Sequence, residues 1–129
     1  MIYLDGSAVV KLVRREAETG ALRAWLASNA QPLVSSALVR TETARALARS
    51  DPAALAVLPS VLALLHQRSV TDDLLDAAGR YTDPVLRSLD AIHLATAEEL
   101  RSALGWFVTY DKRLADAARA RGLQVSIPV

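Results

Sequence analysis

The chain has 129 residues, of which 52% are hydrophobic, and its 15 basic and 14 acidic side chains give a net charge of +1. This composition excludes an intrinsically disordered chain, which requires low hydrophobicity and high net charge. The absence of cysteine excludes a disulfide framework and a thiolate metal site.

The length predicts a single domain over residues 1–129. The near-neutral charge provides no bulk attraction to nucleic acid. No apolar run reaches the ~20 residues of a membrane span.

The first half of the chain predicts short strands that alternate with helices. Strands are predicted at 1–4 and 33–36, and helices at 8–13, 19–28, 37 to about 49, and 52 towards 66. Ser7 and Ser36 are the expected N-caps of the first and third helices. Pro52 follows an Asp and suits a first helical turn. Pro59 is expected to kink or divide the helix in which it lies.

The second half continues the alternation. Strands are predicted at 68–70, 105–109 and 123–127, and helices at 72–80, 87–101 and 112 to about 121. Residues 81–85 are a predicted loop, and the helix at 87–101 is apolar on most of its surface, which indicates burial. Strands that alternate with helices predict an α/β fold with a central, mainly parallel sheet of about five strands. Ligands of such sheets bind beyond the carboxyl ends of the strands.

Four acidic residues lie where this rule directs attention. Asp5 and Asp111 each follow a predicted strand, and if these strands are neighbours their ends lie ~5 Å apart. Asp90 lies in the first turn of the apolar helix, and Glu42 in the helix after the second strand. Each acid alone has an ordinary explanation. Asp5 and Asp111 would terminate their strands, and Asp90 would be a first-turn acid favoured by the helix dipole. Glu42 would form an ion pair with Arg45. Together they favour a hard divalent cation such as Mg²⁺, because an acid within apolar sequence is costly unless it is compensated.

Several segments resemble one known family. The residues 86–97, LRSLDAIHLATA, resemble the signature of PIN-domain ribonucleases, in particular the VapC toxins of bacterial toxin–antitoxin pairs. The resemblance covers essentially the whole chain. It extends to the segments IYLDGS at 2–7, VSSALVRTE at 34–42, VTYDKRL at 108–114 and AARARGL at 117–123.

The resemblance implies a three-layer α/β/α PIN fold and a metal-dependent ribonuclease. The acidic quartet of the family falls on Asp5, Glu42, Asp90 and Asp111, which would hold Mg²⁺, or Mn²⁺ in its place, and activate water for attack on an RNA phosphodiester. Asp5 and Asp90 are the foremost candidates for direct ligands. The hydroxyl beside the first acid falls on Ser7. The family usually carries Thr or Ala between these two positions, where this chain has Gly.

Other candidate residues have equally ordinary explanations. Thr109 would bond a metal-bound water or simply pack in its strand. Arg87 and Lys112 would contact phosphate or be solvated surface charges. Asp116 is a minor candidate and otherwise a surface residue. His93, three residues after Asp90, would touch phosphate or a carboxylate, although a buried, hydrogen-bonded structural histidine is the more ordinary interpretation.

The resemblance also implies partners and a location. The implied partners are an RNA substrate, a cognate VapB-type antitoxin and a second copy of the chain in a homodimer. The implied location is the bacterial cytoplasm, with no membrane attachment. Two alternatives remain within the family: a PIN nuclease of RNA processing without an antitoxin, and a non-catalytic scaffold that binds RNA or protein. A response-regulator receiver is excluded, because it needs paired acids after the first strand and an Asp after the third. Here Gly6 follows Asp5, and Val70-Thr71 ends the third predicted strand.

Overall fold

A single five-stranded sheet forms the centre of the computed structural model, which describes residues 1–129. The strands are β1 (Ile2–Leu4), β2 (Leu33–Ser36), β3 (Leu65–Arg68), β4 (Trp106–Val108) and β5 (Val125–Ser126). Their order is β3-β2-β1-β4-β5, and every pair is parallel. The central strand β1 is buried along its whole length, as expected of a parallel sheet covered on both faces. The predicted α/β class and five-stranded parallel sheet are confirmed.

Helices cover both faces of this sheet. They are α1 (Gly6–Val13), α2 (Thr19–Ser28), α3 (Val39–Ser50), α4 (Leu58–Leu62), α5 (Asp72–Gly79), α6 (Ser88–Glu99) and α7 (Lys112–Ala120), with a 3₁₀ turn at Pro52–Ala56. Successive strand side chains point to opposite faces, so Ile2 and Leu4 pack with α1 to α4, while Tyr3 packs with α6 and α7. Helix α5 packs against α6. The three-layer α/β/α arrangement is therefore confirmed. No helix combines the length and apolar character needed to cross a membrane.

The segment after α3 differs from its prediction. The chain divides near Pro59, as expected, and this residue lies in the first turn of α4, where its missing N–H costs nothing. The helix does not continue towards His66, however. Strand β3 begins at Leu65, which pairs with Leu33 and is buried, so the strand predicted at 68–70 lies three residues earlier. Pairing with β2 and burial of Leu65 outweigh the local helical pattern.

Two helix starts also differ from their predictions. The N-cap of α1 is Asp5, whose carboxylate accepts the N–H of Ala8, and Ser7 already lies inside the helix. Helix α3 begins at Val39, and Ser36 accepts the N–H of Leu38 at 3.1 Å instead of capping a helix that begins at 37. Asp and Ser are both good N-caps, so the identity of the residues alone does not choose between Asp5 and Ser7.

The sheet order brings the ends of β1 and β4 together. Leu4 lies opposite Val108, and the N–H of Asp5 donates to the carbonyl oxygen of Val108 at 3.3 Å. Residues 109–111 therefore lie beside Asp5, as the neighbouring-strand hypothesis requires. The first turns of α3 and α6 lie at the same edge, because both helices border a single cleft with these residues.

Candidate active site

A cleft of about 690 Å³ opens at the carboxyl edge of the sheet. Its wall includes Asp5, Glu42, Asp90 and Asp111. Each comes from a different part of the fold: Asp5 follows β1, Glu42 and Asp90 lie in the first turns of α3 and α6, and Asp111 is the N-cap of α7. The structure thus brings together the four acids that the sequence singled out.

Asp5 is the most firmly held of these acids. It is only 3% exposed. Its Oδ1 accepts the Ser7 hydroxyl at 2.6 Å and the Ala8 N–H at 3.0 Å, and its Oδ2 accepts the Thr109 hydroxyl at 2.6 Å. The Ser7 oxygen also accepts the N–H of Tyr110 at 2.9 Å, which ties the start of α1 to the end of β4. A carboxylate has about four acceptor sites, so Asp5 keeps capacity for one further partner while its orientation is fixed.

Glu42 is held by a buried histidine. His93, on α6, is 1% exposed, and its Nε2 lies 2.5 Å from Glu42 Oε1. Gly6 also leaves room for this carboxylate, because a Cβ there would lie 3.0 Å from the same oxygen. His93 is therefore buried and hydrogen-bonded, and it also contacts one of the candidate site acids.

The remaining two acids are less constrained. Oδ1 of Asp111 accepts the N–H groups of Arg113 and Leu114 at 2.9 and 3.3 Å, and its Oδ2 accepts none. Asp90 is partly buried, and burial together with the negative charges of Asp111 and Asp5 raises its pKa to about 6. Burial also raises the pKa of Asp5, although the His93 ring and the three hydrogen bonds oppose that change. The pKa values of Asp90 and Asp5 are thus both raised, as is common for carboxyl groups at functional sites.

The donor set fits a hard divalent cation. All the candidate ligands are carboxylates. A positive ion would offset the burial that raises the pKa of Asp5, and the burial and carboxylate repulsion that raise the pKa of Asp90. No three His, Asp or Glu side chains of the chain form a ready-made ligand cluster. Mg²⁺ keeps several waters and needs only one or two protein carboxylates. The arrangement therefore fits a mostly hydrated ion better than an ion enclosed entirely by protein ligands.

Of the supporting candidates, the structure places two at the site and three outside it. Ser7 and Thr109 both contact Asp5. Arg87, Lys112 and Asp116 are exposed and do not line the cleft, so their roles stay predictions. Asp116 lies 3.5 Å from Arg119 in an ordinary helical ion pair. Neighbouring helical residues point about 100° apart, so adjacency to Asp111 or to α6 does not bring a side chain into the cleft.

Basic residues of α1 and α3 line the cleft instead and were missed. Lys11 is already paired, because its Nζ lies 2.9 Å from both Glu16 and Glu18. Arg45 and Arg49 are exposed and take part in none of the chain's ion pairs. They follow Glu42 by three and seven residues, a spacing that places all three on one helix face. This spacing was the signal that could have identified them.

Comparison with known proteins shows the family of the chain and agrees with the fold. The PIN domain family matches residues 2–120. Ribonuclease VapC35 of Mycobacterium tuberculosis is 45% identical over 131 residues, which cover 99% of this chain and 97% of the relative. Ribonuclease VapC46 of the same organism is 47% identical over 127 residues, which cover 98% and 97% of the two chains.

A solved structure shares the fold. The crystal structure of Mycobacterium tuberculosis VapC20, a Sarcin-Ricin loop cleaving toxin, superimposes with a TM-score of 0.75 at 20% identity and covers 91% of this chain and 95% of that one. The family match and the full-length relatives together decide the identity. The chain belongs to the PIN-domain family, within which it is a ribonuclease of the VapC type.

Proposed function

We propose that this ribonuclease is a toxin that cuts RNA with Mg²⁺ held by Asp5, Glu42, Asp90 and Asp111, and that residues 1–129 form one PIN domain. The observation that carries the proposal is the convergence of these four acids in one cleft, from four separate parts of the fold. Repulsion within such a cluster is unfavourable without a cation, and after burial the negative charges of Asp111 and Asp5 contribute to the raised pKa of Asp90. Mn²⁺ prefers similar oxygen ligands and would substitute.

Each acid has a role that follows from how it is held. Asp5, fixed by three hydrogen bonds, and Asp90, whose negative charge is opposed by burial and by the neighbouring acids, would bind the ion directly. Glu42 and Asp111 would bind it directly or through water, or orient the attacking water. Ser7 and Thr109 keep Asp5 in place. A bound divalent ion would lower the pKa of its water and stabilise charge on the phosphate.

Arg45 and Arg49 would contact phosphates of the RNA backbone. They continue the face of α3 that carries Glu42, over a rise of about 10 Å along the helix axis. Because no carboxylate pairs with either guanidinium, both are free to bind phosphate, which guanidinium groups bind in a bidentate manner. We expect phosphates next to the cleaved bond to lie along these residues.

Replacing both arginines with Gln should raise the KM for RNA about tenfold and leave kcat nearly unchanged, because phosphate contacts position the substrate without entering the chemistry. The salt dependence of binding should also weaken, by about 0.7 in log–log slope for each lost contact to single-stranded RNA. Cleavage kinetics at several salt concentrations measure both effects. The matched control is Arg80→Gln with Arg119→Gln, two exposed arginines outside the cleft. Equal effects from the two double variants would contradict these phosphate contacts.

The partners and location are part of the proposal. A VapB-type antitoxin and a second copy of the chain are the expected protein partners, and the bacterial cytoplasm is the expected location. The full-length bacterial relatives support this assignment. Exposed apolar side chains such as Val57 and Leu64, at 45% and 64% exposure, offer surface that a protein partner could cover.

The decisive experiment is cleavage of total bacterial RNA by the purified chain, free of antitoxin, with Mg²⁺, with Mn²⁺ and with EDTA. We expect discrete fragments with either metal and none with EDTA. Cleavage that persists in EDTA would contradict the metal mechanism. A folded protein that neither cleaves RNA nor binds Mg²⁺ by calorimetry would contradict the catalytic proposal and favour a binding scaffold.

A further inference from the structure

Behind the cleft lies a buried chain of hydrogen bonds that ends at Glu42. Tyr3, in the central strand β1, places its hydroxyl 2.7 Å from His93 Nδ1, and His93 Nε2 lies 2.5 Å from Glu42 Oε1. Tyr3 is fully buried and His93 is 1% exposed. Neither side chain lines the cleft. Any effect of theirs on RNA cleavage is therefore indirect, and Glu42 is the cleft residue to which His93 is hydrogen-bonded.

The direction of the donors follows from the backbone. The Tyr3 oxygen accepts the N–H of Ser36 at 3.2 Å, so its single proton is available for His93 Nδ1. The nearby hydroxyls of Ser35 and Thr96 direct their protons to the carbonyl oxygens of Leu4 and Ile92. In the neutral ring Nδ1 is then the acceptor, and Nε2 carries the proton.

This polarity makes His93 a donor to Glu42. A protonated ring also carries hydrogen on Nε2, so donation to the carboxylate is maintained in both charge states. The one alternative, the neutral ring with its proton on Nδ1, is disfavoured because it would place two acceptors against each other at Glu42. Tyr3 and Glu42 together thus favour hydrogen on Nε2 of His93.

Glu42 is a residue that needs such support. Its side chain is 19% exposed, and a glutamate that is not held samples many rotamers. One oxygen is held by His93, while the space at Gly6 accommodates the same oxygen at 3.0 Å from where a Cβ would be. The second oxygen has no hydrogen bond within the protein and is free for the reaction.

We propose that His93, oriented by Tyr3, is a positioning residue that holds Glu42 in its working orientation; this deepens the proposed function, on which it rests. The competing explanation is that His93 is a buried histidine whose hydrogen bonds only stabilise the core. The two differ in what a conservative replacement does. Gln at position 93 keeps an N–H donor near the place of Nε2, whereas Leu keeps the apolar volume and removes the donor.

The kinetic test compares His93→Leu with His93→Gln in the full-length chain. We expect His93→Leu to lower kcat about 10–100-fold with an unchanged KM. A Glu42 side chain that is not held in place stabilises the transition state less, whereas substrate binding does not depend on it. His93→Gln should recover most of this loss. Tyr3→Phe, which removes one oxygen atom and keeps the ring, should lower kcat less, and it serves as the test if His93→Leu does not fold. Unchanged kcat per folded molecule in both His93→Leu and Tyr3→Phe would overturn the proposal.

A second measurement does not depend on catalysis. Nitrogen-15 NMR of the metal-free protein should show His93 with hydrogen on Nε2, and Glu42→Gln should shift the resonance of that hydrogen. Hydrogen on Nδ1 alone, or no response to Glu42→Gln, would overturn the positioning role even if RNA is cleaved. A protein with the expected NMR signature that cleaves no RNA would instead contradict the proposed function and not the hydrogen-bond geometry.

Discussion

Asp90→Asn should lower the rate of RNA cleavage about 10³-fold, which corresponds to about 4 kcal/mol of transition-state stabilisation. Asn keeps the size of the side chain and removes the negative charge that a hard cation needs. Asp90 lies in the first turn of α6 with its side chain at the cleft. The loss should appear mainly in kcat at saturating metal, measured with a single RNA fragment from the total-RNA digest.

Asp116→Asn is the matched control for this prediction. It makes the same chemical change at an exposed aspartate that does not line the cleft. We expect this variant to cleave at the wild-type rate. If Asp90→Asn kept more than about a tenth of the activity, a loss of under 1.4 kcal/mol, Asp90 would not be a direct metal ligand.

The metal-free protein should lose stability as the pH rises through about 6, the raised pKa of Asp90. Asp90 binds its proton more tightly in the folded chain than in the unfolded chain, where its pKa has the ordinary value of 3.8. The resulting stability is fully present below that ordinary value and is lost as the pH passes the folded value. The raised pKa of Asp5 acts in the same direction.

Thermal melts of wild type and Asp90→Asn isolate this contribution. Because Asp90 is only half-buried, solvent screening limits it to about 1 kcal/mol, a shift of about 3–5 °C in Tm for a chain of this size. At about pH 7.5, above the pKa of Asp90, the metal-free variant should melt higher than wild type. Near pH 4, where wild type is itself protonated, the two should coincide.

Added Mg²⁺ tests whether metal binding depends on the ionised form of Asp90. It binds the folded ionised site and should raise the Tm of wild type at neutral pH by mass action. It should have little effect on Asp90→Asn, or on wild type at acidic pH, since a protonated carboxyl is a poor ligand. An equal Mg²⁺ effect on both proteins would place the cation away from Asp90.

The sequence by itself determined much of this protein. Short apolar strands alternating with helices require a covered parallel sheet, and acids that follow such strands must meet at one edge. Asp5 and Asp111 could therefore be connected once β1 and β4 were taken as neighbours, and the sheet order shows that they are. The signature around Asp90 placed the chain in its family without any coordinates. These inferences succeed because they depend on local pattern and on the fixed geometry of strands.

Only the tertiary structure decided which side chains surround those acids. Strand β3 begins at Leu65 because pairing with Leu33 outweighs a locally helical pattern. Arg45 and Arg49 line the cleft, whereas Arg87 and Lys112 do not, because the direction of a helix face depends on how the helix packs. The contact between His93 and Glu42 joins residues 51 positions apart. A hydrogen bond over such a distance in the chain exists only once the sheet has brought α3 and α6 together.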